Sequence, residues 1–366
     1  MINRRQFIQS CALMAASYPG SPALAVDHSY QVAANRIWRP YNTLAKSISE
    51  QRREWIRMAT LAASSHNSQP WKFLVRDHLI TIFPDYKRRC PAVDPDDSHL
   101  FKSLGCAAEN LIHAAAVDGF HADAYFDPVQ DAVVIEIERA VIARHDGLSA
   151  AIVNRRCSRT PYDSKPIAAS VQTSLITAAT SNETTPFILQ SPQQMEGILE
   201  YVRQGNIAQF GDPAFVKELR DWVRFNPADA ISAGDGLAGE VSGQPAIPGW
   251  LGRRIFGLIS SGKKQADTDA KAIRSSSGVI AFVGERDDKA SWVATGRAYE
   301  RFALQATALN VRNAFINQPI EVHRLRPQLH TWLGVPQQHV HLIVRYGNGQ
   351  VTPHSLRRPV EDVIIT

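Results

Sequence analysis

Two short clusters of polar residues, about ninety positions apart, could do chemistry in this 366-residue chain. The first runs from Ala63 to Trp71 and packs serines, an amide pair, a proline and a tryptophan into nine residues. Pro70 cannot continue a helix and is expected to hold Gln69 extended, so a preceding helix must stop here. Ser and Asn side chains at that point could bond the heteroatoms of a flat, polar-rimmed ligand. A capped helix followed by a turn is the alternative interpretation.

The second cluster is cationic. It holds three arginines within five residues, interrupted by a thiol and a hydroxyl: Arg155, Arg156, Cys157, Ser158 and Arg159. Guanidinium groups bind phosphate bidentately and keep their charge, so this spacing favours a site for a dianion. The alternative is a solvated basic helix end.

Both clusters resemble motifs of one family. The first is similar to the Ser-Ser-x-Asn-x-Gln-Pro-Trp signature of flavin-binding nitroreductases, and the second to their Arg-Arg-Ser-x-Arg opening, with Cys157 where the family has serine. In that family the arginine motif comes first, and each flavin sits between two subunits. The reversed order here resembles the Acg-type fused nitroreductases, in which two degenerate copies share one chain. Gly296 to Glu321 resembles the same subfamily.

The resemblance implies an α+β fold in which two nitroreductase-like halves, residues 26–145 and 146–366, form an internal pseudo-dimer. Each half would be a mostly antiparallel sheet with helices. It also implies an FMN cofactor, NAD(P)H or another reductant as hydride donor, and a small-molecule acceptor such as a nitro compound or quinone. Because the flavin carries the chemistry, no catalytic side chain and no metal are expected. A non-catalytic, flavin-sequestering protein with a lid-covered site is the competing interpretation.

The resemblance also names the residues that would hold the flavin. Arginines would neutralise the phosphate, hydroxyls and amides of the first cluster would reach the ribityl chain or ring, and the Asn317-Gln318 backbone would lie beside N5. The implied set is Ser64, Ser65, Asn67, Gln69, Arg155, Arg156, Ser158, Arg159, Asn317, Gln318, Arg357 and Arg358.

Other motifs carry less weight. Gly234 to Gly239 matches G-x-G-x-x-G but lacks a predicted strand before it and a helix after it, so a dinucleotide loop is not indicated. The alternating pair His339 and His341 has no third ligand nearby in the sequence, which favours an ordinary strand surface. Four cysteines without a C-x-x-C spacing predict neither a disulfide framework nor a zinc site.

Composition excludes some classes of protein. The chain is 44% hydrophobic and 20% charged, enough for a large core in one large domain or two. The net charge of +5 is spread without a basic, aromatic-rich block, so nucleic-acid binding is not indicated. No segment reaches the length needed to span a membrane. Fusion makes a monomer plausible, with a weak homodimer as the alternative.

The N-terminus predicts export. Asn3 to Ile8 carries a twin-arginine pattern, followed by a short apolar stretch and the small-residue site Ala23-Leu24-Ala25. Residues 1–25 are therefore predicted to be a signal peptide, recognised by the machinery that exports folded proteins to the periplasm. A basic tail on a cytoplasmic protein is the alternative.

The elements that must position both clusters follow from hydrophobic periodicity and turn residues. In the first half the order is helix, hairpin, helix, hairpin, which is an α+β pattern. The predicted helices there are Tyr30–Ile48, Gln51–Ala63 and Leu100–Val117, and the strands are Trp71–Val75, Leu79–Phe83, His121–Phe126 and Ala132–Glu138. The second half is predicted to hold helices Ser149–Arg156, Gln193–Gln209, Asp212–Phe225, Asp288–Asn310 and Leu325–Leu333, strands Val279–Val283 and His339–Tyr346, and a Gly/Pro-rich lid at about 226–265.

Overall fold

The computed structural model of the protein describes residues 26–42, 44, 47–140 and 147–365. The predicted signal peptide lies outside these residues. Among the helices of the described segments, none combines the length and apolar character needed to cross a bilayer.

The first half has the predicted order of elements. Its members are α1 (His28–Ile37), α2 (Ile48–Thr60), β1 (Trp71–Val75), β2 (Leu79–Pro84), α3 (Ser98–Val117), β3 (Phe120–Asp127) and β4 (Ala132–Arg139). Ser47 and Glu50 form a capping box that starts α2. The predicted first helix was too long, because Pro40 disfavours helical backbone just before it and α1 ends at Ile37. Asp94 rather than Asp97 caps α3, since its carboxylate accepts from the N–H groups of His99 and Leu100.

The second half contains more elements than the sequence predicts. They are α4 (Ser149–Ile152), α5 (Ala169–Ala179), β5 (Thr185–Leu189), α6 (Pro192–Gly211), α7 (Pro213–Trp222), β6 (Val223–Arg224), α8 (Pro227–Ala233), β7 (Leu237–Ala238), α9 (Gly239–Ser242), α10 (Gly249–Ile259), α11 (Gly262–Arg274), β8 (Gly278–Gly284), α12 (Lys289–Ala308), β9 (Arg312–Phe315), α13 (Gln318–Glu321), α14 (Arg326–Trp332), β10 (His339–Gly347) and β11 (Ile364–Ile365).

The strands form two larger sheets. The first has the order β11-β1-β2-β4-β3, and the second has the order β5-β8-β10-β9. All their pairings are antiparallel except that of β11 with β1. The last strand of the chain thus joins the sheet of the first half, and the predicted α+β class is confirmed.

The long helices α3 and α12 cross at a pair of glycines. A Cβ on Gly105 would lie 2.1 Å from the Val293 carbonyl oxygen, and one on Gly296 would lie 2.0 Å from that of Lys102. Each glycine is the eighth residue of a 20-residue helix, and each is followed four residues later by a buried glutamate, Glu109 or Glu300. Two copies of one fold would leave this correspondence, although the fused-copy interpretation stays a prediction.

The region predicted to be a lid is largely helical. It contains α8, α9 and α10, with the start of α11. Its prolines and glycines mark helix ends: Pro227 begins α8, and Gly234 ends it with a positive φ of 63°. The turn Gly234-Asp235-Gly236 separates α8 from the two-residue β7, so the formal glycine motif has no dinucleotide-binding geometry.

Candidate functional site

The arginine cluster and the C-terminal tail both reach the carboxyl end of α2, directly before the first cluster. Arg155 donates from Nη2 to the Leu61 carbonyl at 2.8 Å. Arg357 donates from Nε to the Thr60 carbonyl at 2.8 Å, and from Nη2 to the carbonyls of Leu61 and Ala62 at 3.2 and 3.1 Å. Unpaired carbonyls at a helix end attract cations, so these bonds join the tail and the second half to the first.

These structural contacts occupy the guanidinium groups of Arg155 and Arg357. Arg155 also lies with its Nε 3.0 Å from a carboxylate oxygen of buried Glu300, and the Arg357 guanidinium stacks over Trp38 at 4.9 Å. Burial and the neighbouring Arg155 lower the pKa of Arg357 to about 9. Both guanidinium groups are thus engaged by protein groups, and a role for either in holding a phosphate stays a prediction.

The turn Ser65–Gln69 has an unusual backbone. His66, Asn67 and Gln69 have φ values of 49°, 53° and 53°, in the left-handed region that non-glycine residues rarely adopt. The expectation that Pro70 keeps Gln69 extended was therefore wrong. Ser64 supports the turn by accepting the Gln69 N–H at 3.1 Å.

The amides of that turn are bound to protein groups. Asn67 donates both Nδ2 hydrogens, to the carbonyls of Gly236 and Leu356, each at 3.1 Å. Gln69 donates to the Gly234 carbonyl at 2.9 Å and accepts the Arg358 N–H at 2.9 Å. These two side chains hold the Gly234–Gly236 turn and the C-terminal tail in place.

Arg159 differs from the other arginines of the implied set, because its side chain is exposed and makes no hydrogen bond or ion pair within the described segments. Burial, together with the charge of Arg159, lowers the pKa of His66 to about 4. Burial raises the pKa of Asp269, and Arg159 is one of the cations that oppose this shift. Asp269 in turn accepts from Gln318 Nε2 at 3.0 Å. The charge of Arg159 thus acts on one group of the first-half turn, His66, and on Asp269, the partner of Gln318.

Arg156 and Ser158 precede Arg159 in the same segment. Arg156 donates to the Thr352 carbonyl at 2.6 Å, and burial, with the charges of Arg312 and Arg155, lowers its pKa to about 10. Ser158 is fully buried, with Oγ 3.4 Å from Thr352 Oγ1, so its hydroxyl packs inside the protein. Arg156 remains a source of positive charge beside Arg159.

Asn317 and Gln318 occupy the turn between β9 and α13. Asn317 Oδ1 accepts the Ile343 N–H at 2.9 Å, which fixes this turn against β10. Gln318 Oε1 and His66 Nδ1 are buried without a hydrogen-bond partner in the described structure. Buried polar atoms are normally satisfied, so these two unpartnered atoms are compatible with a bound polar ligand.

Three positioning residues escaped the sequence analysis. Fully buried Arg345 donates to the Ser158 and Thr160 carbonyls at 3.1 and 3.0 Å and so shapes the arginine segment. Asp269 lies on α11, just beyond the assumed lid, and Thr352 lies in an irregular segment. No local motif marks them, because their roles depend on partners far away in the chain.

With this geometry in place, comparison with known proteins indicates the nitroreductases as the class that the chain resembles. No family model matches the chain. The protein named "Putative NAD(P)H nitroreductase Rv3131" of Mycobacterium tuberculosis is 25% identical over 335 residues, which cover 86% of this chain and 91% of the relative. "Putative NAD(P)H nitroreductase acg" of the same organism is 21% identical over 319 residues, with 84% and 93% covered. These relatives confirm the resemblance to Acg-type nitroreductases.

Solved structures of nitroreductases also align with this chain. A "putative nitroreductase" from Anabaena variabilis aligns with a TM-score of 0.46 and 10% identity, covering 92% of this chain and 93% of the other. The FMN-dependent nitroreductase NfnB from Mycobacterium smegmatis, in complex with NADPH, aligns with a TM-score of 0.40 and 12% identity, covering 59% and 96%.

Proposed function

We propose that the protein is an FMN-dependent oxidoreductase that takes a hydride from NAD(P)H or another reductant and passes it to a nitro, quinone or similar small acceptor. Two relatives that match along most of the chain are named NAD(P)H nitroreductases. The observation that carries the proposal is Arg159, an exposed guanidinium with no protein partner among the described residues, whose charge acts on both His66 of the first motif and Asp269, the partner of Gln318.

The residues present fit the cofactor, although fewer of them would contact it than the motifs imply. Arg159 and Arg156 would hold the phosphate, because they supply charge beside the cluster of buried, committed arginines. The unpartnered atom Gln318 Oε1 could bond a polar atom of the flavin. Bound FMN would supply the hydride chemistry, and the chain would supply its position and electrostatics. The site would be supported indirectly by four residues that hold its surrounding segments in place: Arg155, Arg357, Asn67 and Gln69.

A flavin-sequestering protein is the second candidate, and one observation favours it. The Gly234–Gly236 turn is fastened to Asn67 and Gln69, and its Asp235 pairs with Arg88 and Arg224. A segment fixed at so many points would restrict access to a flavin beneath it.

Anaerobic reduction separates the two candidates. Purified protein, loaded with FMN if necessary, is mixed with NADPH, and the flavin absorbance is followed. Bleaching, then reoxidation by a nitroaromatic compound, supports the oxidoreductase. Flavin that dithionite bleaches but nicotinamides do not supports sequestration. A protein that binds no FMN contradicts both.

Two wider features belong to the proposal. The matched helices α3 and α12, and the addition of β11 to the first sheet, support a fused pair of copies acting as an internal pseudo-dimer. The sequence motif of residues 1–25 supports export to the periplasm. Cell fractionation of the wild type and of the double variant Arg4→Lys, Arg5→Lys tests export: the wild type is expected in the periplasm and the variant in the cytoplasm. Equal distribution of both would contradict it.

A further inference from the structure

Three side chains that metal ions favour as ligands meet beside the strained turn. His66 comes from the turn after α2, Cys90 from the loop after β2, and Glu218 from α7. One ring nitrogen of His66, the Cys90 Sγ and one carboxylate oxygen of Glu218 all lie within 4.8 Å of one another. The fold therefore gathers three donor atoms from segments up to 152 residues apart.

The geometry is close to that of a loaded site. Zinc binds cysteine, histidine and carboxylate at about 2.0–2.3 Å in a tetrahedron, which separates neighbouring ligand atoms by about 3.6 Å. Side-chain shifts of about 1 Å would close the present spacing to that value. Such shifts are within reach of rotamer adjustments in three separate side chains.

The charges around these groups favour a cation. Burial raises the pKa of the Cys90 thiol, and the neighbouring carboxylates Glu218, Asp94 and Glu321 raise it further. Arg159 contributes an opposing positive charge at His66. A thiolate and the Glu218 carboxylate would together neutralise a divalent ion, and the thiol proton would pass to solvent when the ion binds. The neutral imidazole of His66 would offer a ring-nitrogen lone pair to the ion.

Two further observations indicate a prepared site. The oxygens of Glu218 accept the backbone N–H groups of Ala92 and Val93 at 2.9 and 3.1 Å, which fixes the carboxylate against the Cys90 loop. Hydrogen bonds that orient a ligand side chain are a regular feature of metal sites. In addition, the ring of His66 carries the buried, unpartnered Nδ1 on a backbone held in an unfavourable conformation.

We propose that His66, Cys90 and Glu218 form a binding site for a divalent transition-metal ion with affinity for thiolate, zinc in particular. The three protein ligands leave a fourth position for water. Because Glu218 lies on α7 and the other two ligands lie in the first half, the ion would fasten α7 to that half.

Cobalt titration tests this site, since Co²⁺ takes zinc sites and its thiolate complexes absorb in the near ultraviolet. Full-length protein, treated with a chelator and then dialysed, is titrated with Co²⁺. We expect a thiolate-to-cobalt band that saturates at one ion per chain and disappears when Zn²⁺ is added. Cys90→Ser should abolish the band, and Cys157→Ser, at another free thiol, should retain it. No band in the wild type, or a band that survives in Cys90→Ser, overturns the proposal.

A second measurement keeps the proposal testable if Cys90→Ser fails to fold. Zn²⁺ should raise the unfolding temperature of the wild type by several degrees and leave that of Glu218→Gln unchanged, because only an ion bound by the native state stabilises it. An equal rise in both proteins would place the metal elsewhere. Neither readout involves flavin, so the metal site and the proposed oxidoreductase can fail independently.

Discussion

At the residue scale, the decisive property of an arginine in this protein is what already occupies its guanidinium. Arg155, Arg357 and Arg345 donate to carbonyls inside the protein. Arg159 is exposed and has no partner within the described segments. These four arginines therefore divide into three structural cations and one candidate for ligand binding.

Replacing Arg159 by alanine should weaken FMN binding by about 1.5–3 kcal/mol, the value of a hydrogen bond to a charged group. This corresponds to a rise in Kd of roughly 10- to 150-fold. Fluorescence quenching of FMN on titration with protein measures it. The matched control is Arg76→Ala, at an exposed arginine in the β1–β2 turn, which should leave the Kd unchanged. Equal affinity of Arg159→Ala and wild type would remove Arg159 from the site.

Glu109 predicts a specific dependence of stability on acid. Burial raises the pKa of its carboxyl, but His113, Arg301 and Arg297 outweigh burial and lower the pKa to about 2. Because the folded pKa lies below the unfolded value of about 4.5, the carboxylate stabilises the fold above about pH 4.5. That stabilisation is lost as the pH falls towards 2.

Glu109→Gln should lower the free energy of unfolding at pH 7 by about 2–3 kcal/mol, since it removes the carboxylate paired with Arg301 and the nearer of the two paired with Arg297. The same variant should lose less stability than the wild type between pH 5 and pH 2. Urea unfolding at several pH values measures both effects. Glu196→Gln, which breaks an exposed pair with Arg274, is the control and should change stability by less than about 1 kcal/mol. Parallel pH curves for wild type and Glu109→Gln would contradict the assignment.

At the scale of elements, the crossing of α3 and α12 controls how the two halves meet. Gly105 and Gly296 bring backbone against backbone, and Glu109 of α3 lies 2.9 Å from Arg297 and 3.1 Å from Arg301 of α12. The close crossing places two glutamates in the interior, where each is paired with arginine. The helices thus need small residues at one point and charge pairs one turn later.

Gly296→Ala should destabilise the protein by about 1–3 kcal/mol or more, because the new methyl group would meet the Lys102 carbonyl and force the helices apart. Thermal and urea unfolding measure the loss. Gly257→Ala, at an open position of α10, is the matched control and should be neutral or stabilising by up to about 1 kcal/mol. If both variants were equally stable, the close crossing would be wrong.

At the scale of the whole molecule, the C-terminal strand β11 completes the sheet of the first half. Val363 accepts the Phe73 N–H at 2.7 Å, its side chain is fully buried, and β11 pairs with β1. Arg357 and Arg358 precede this strand and hold the end of α2 and the Gln69 turn. The tail therefore supports the first sheet and the candidate site together.

Truncation after Pro359 should destabilise the protein by at least about 1.5–3 kcal/mol, the value of burying one valine, and should weaken FMN binding indirectly. Truncation after Val363 keeps the buried side chain and is the control, with a smaller loss expected. Unfolding by urea and FMN titration of both forms measure this. Equal stability of the two truncated forms would show that Val363 does not anchor the tail.

The amino-acid sequence by itself determined the class of fold, most elements of the first half and the two segments that converge at the candidate site. It could do so because capping residues, prolines and hydrophobic periodicity act between near neighbours. Only the tertiary structure decided which arginine has no protein partner among the described residues. It also decided that Asn67 and Gln69 bond a turn far away in the chain, and that His66, Cys90 and Glu218 lie together. Those outcomes depend on contacts between residues far apart in the chain, which no local pattern encodes.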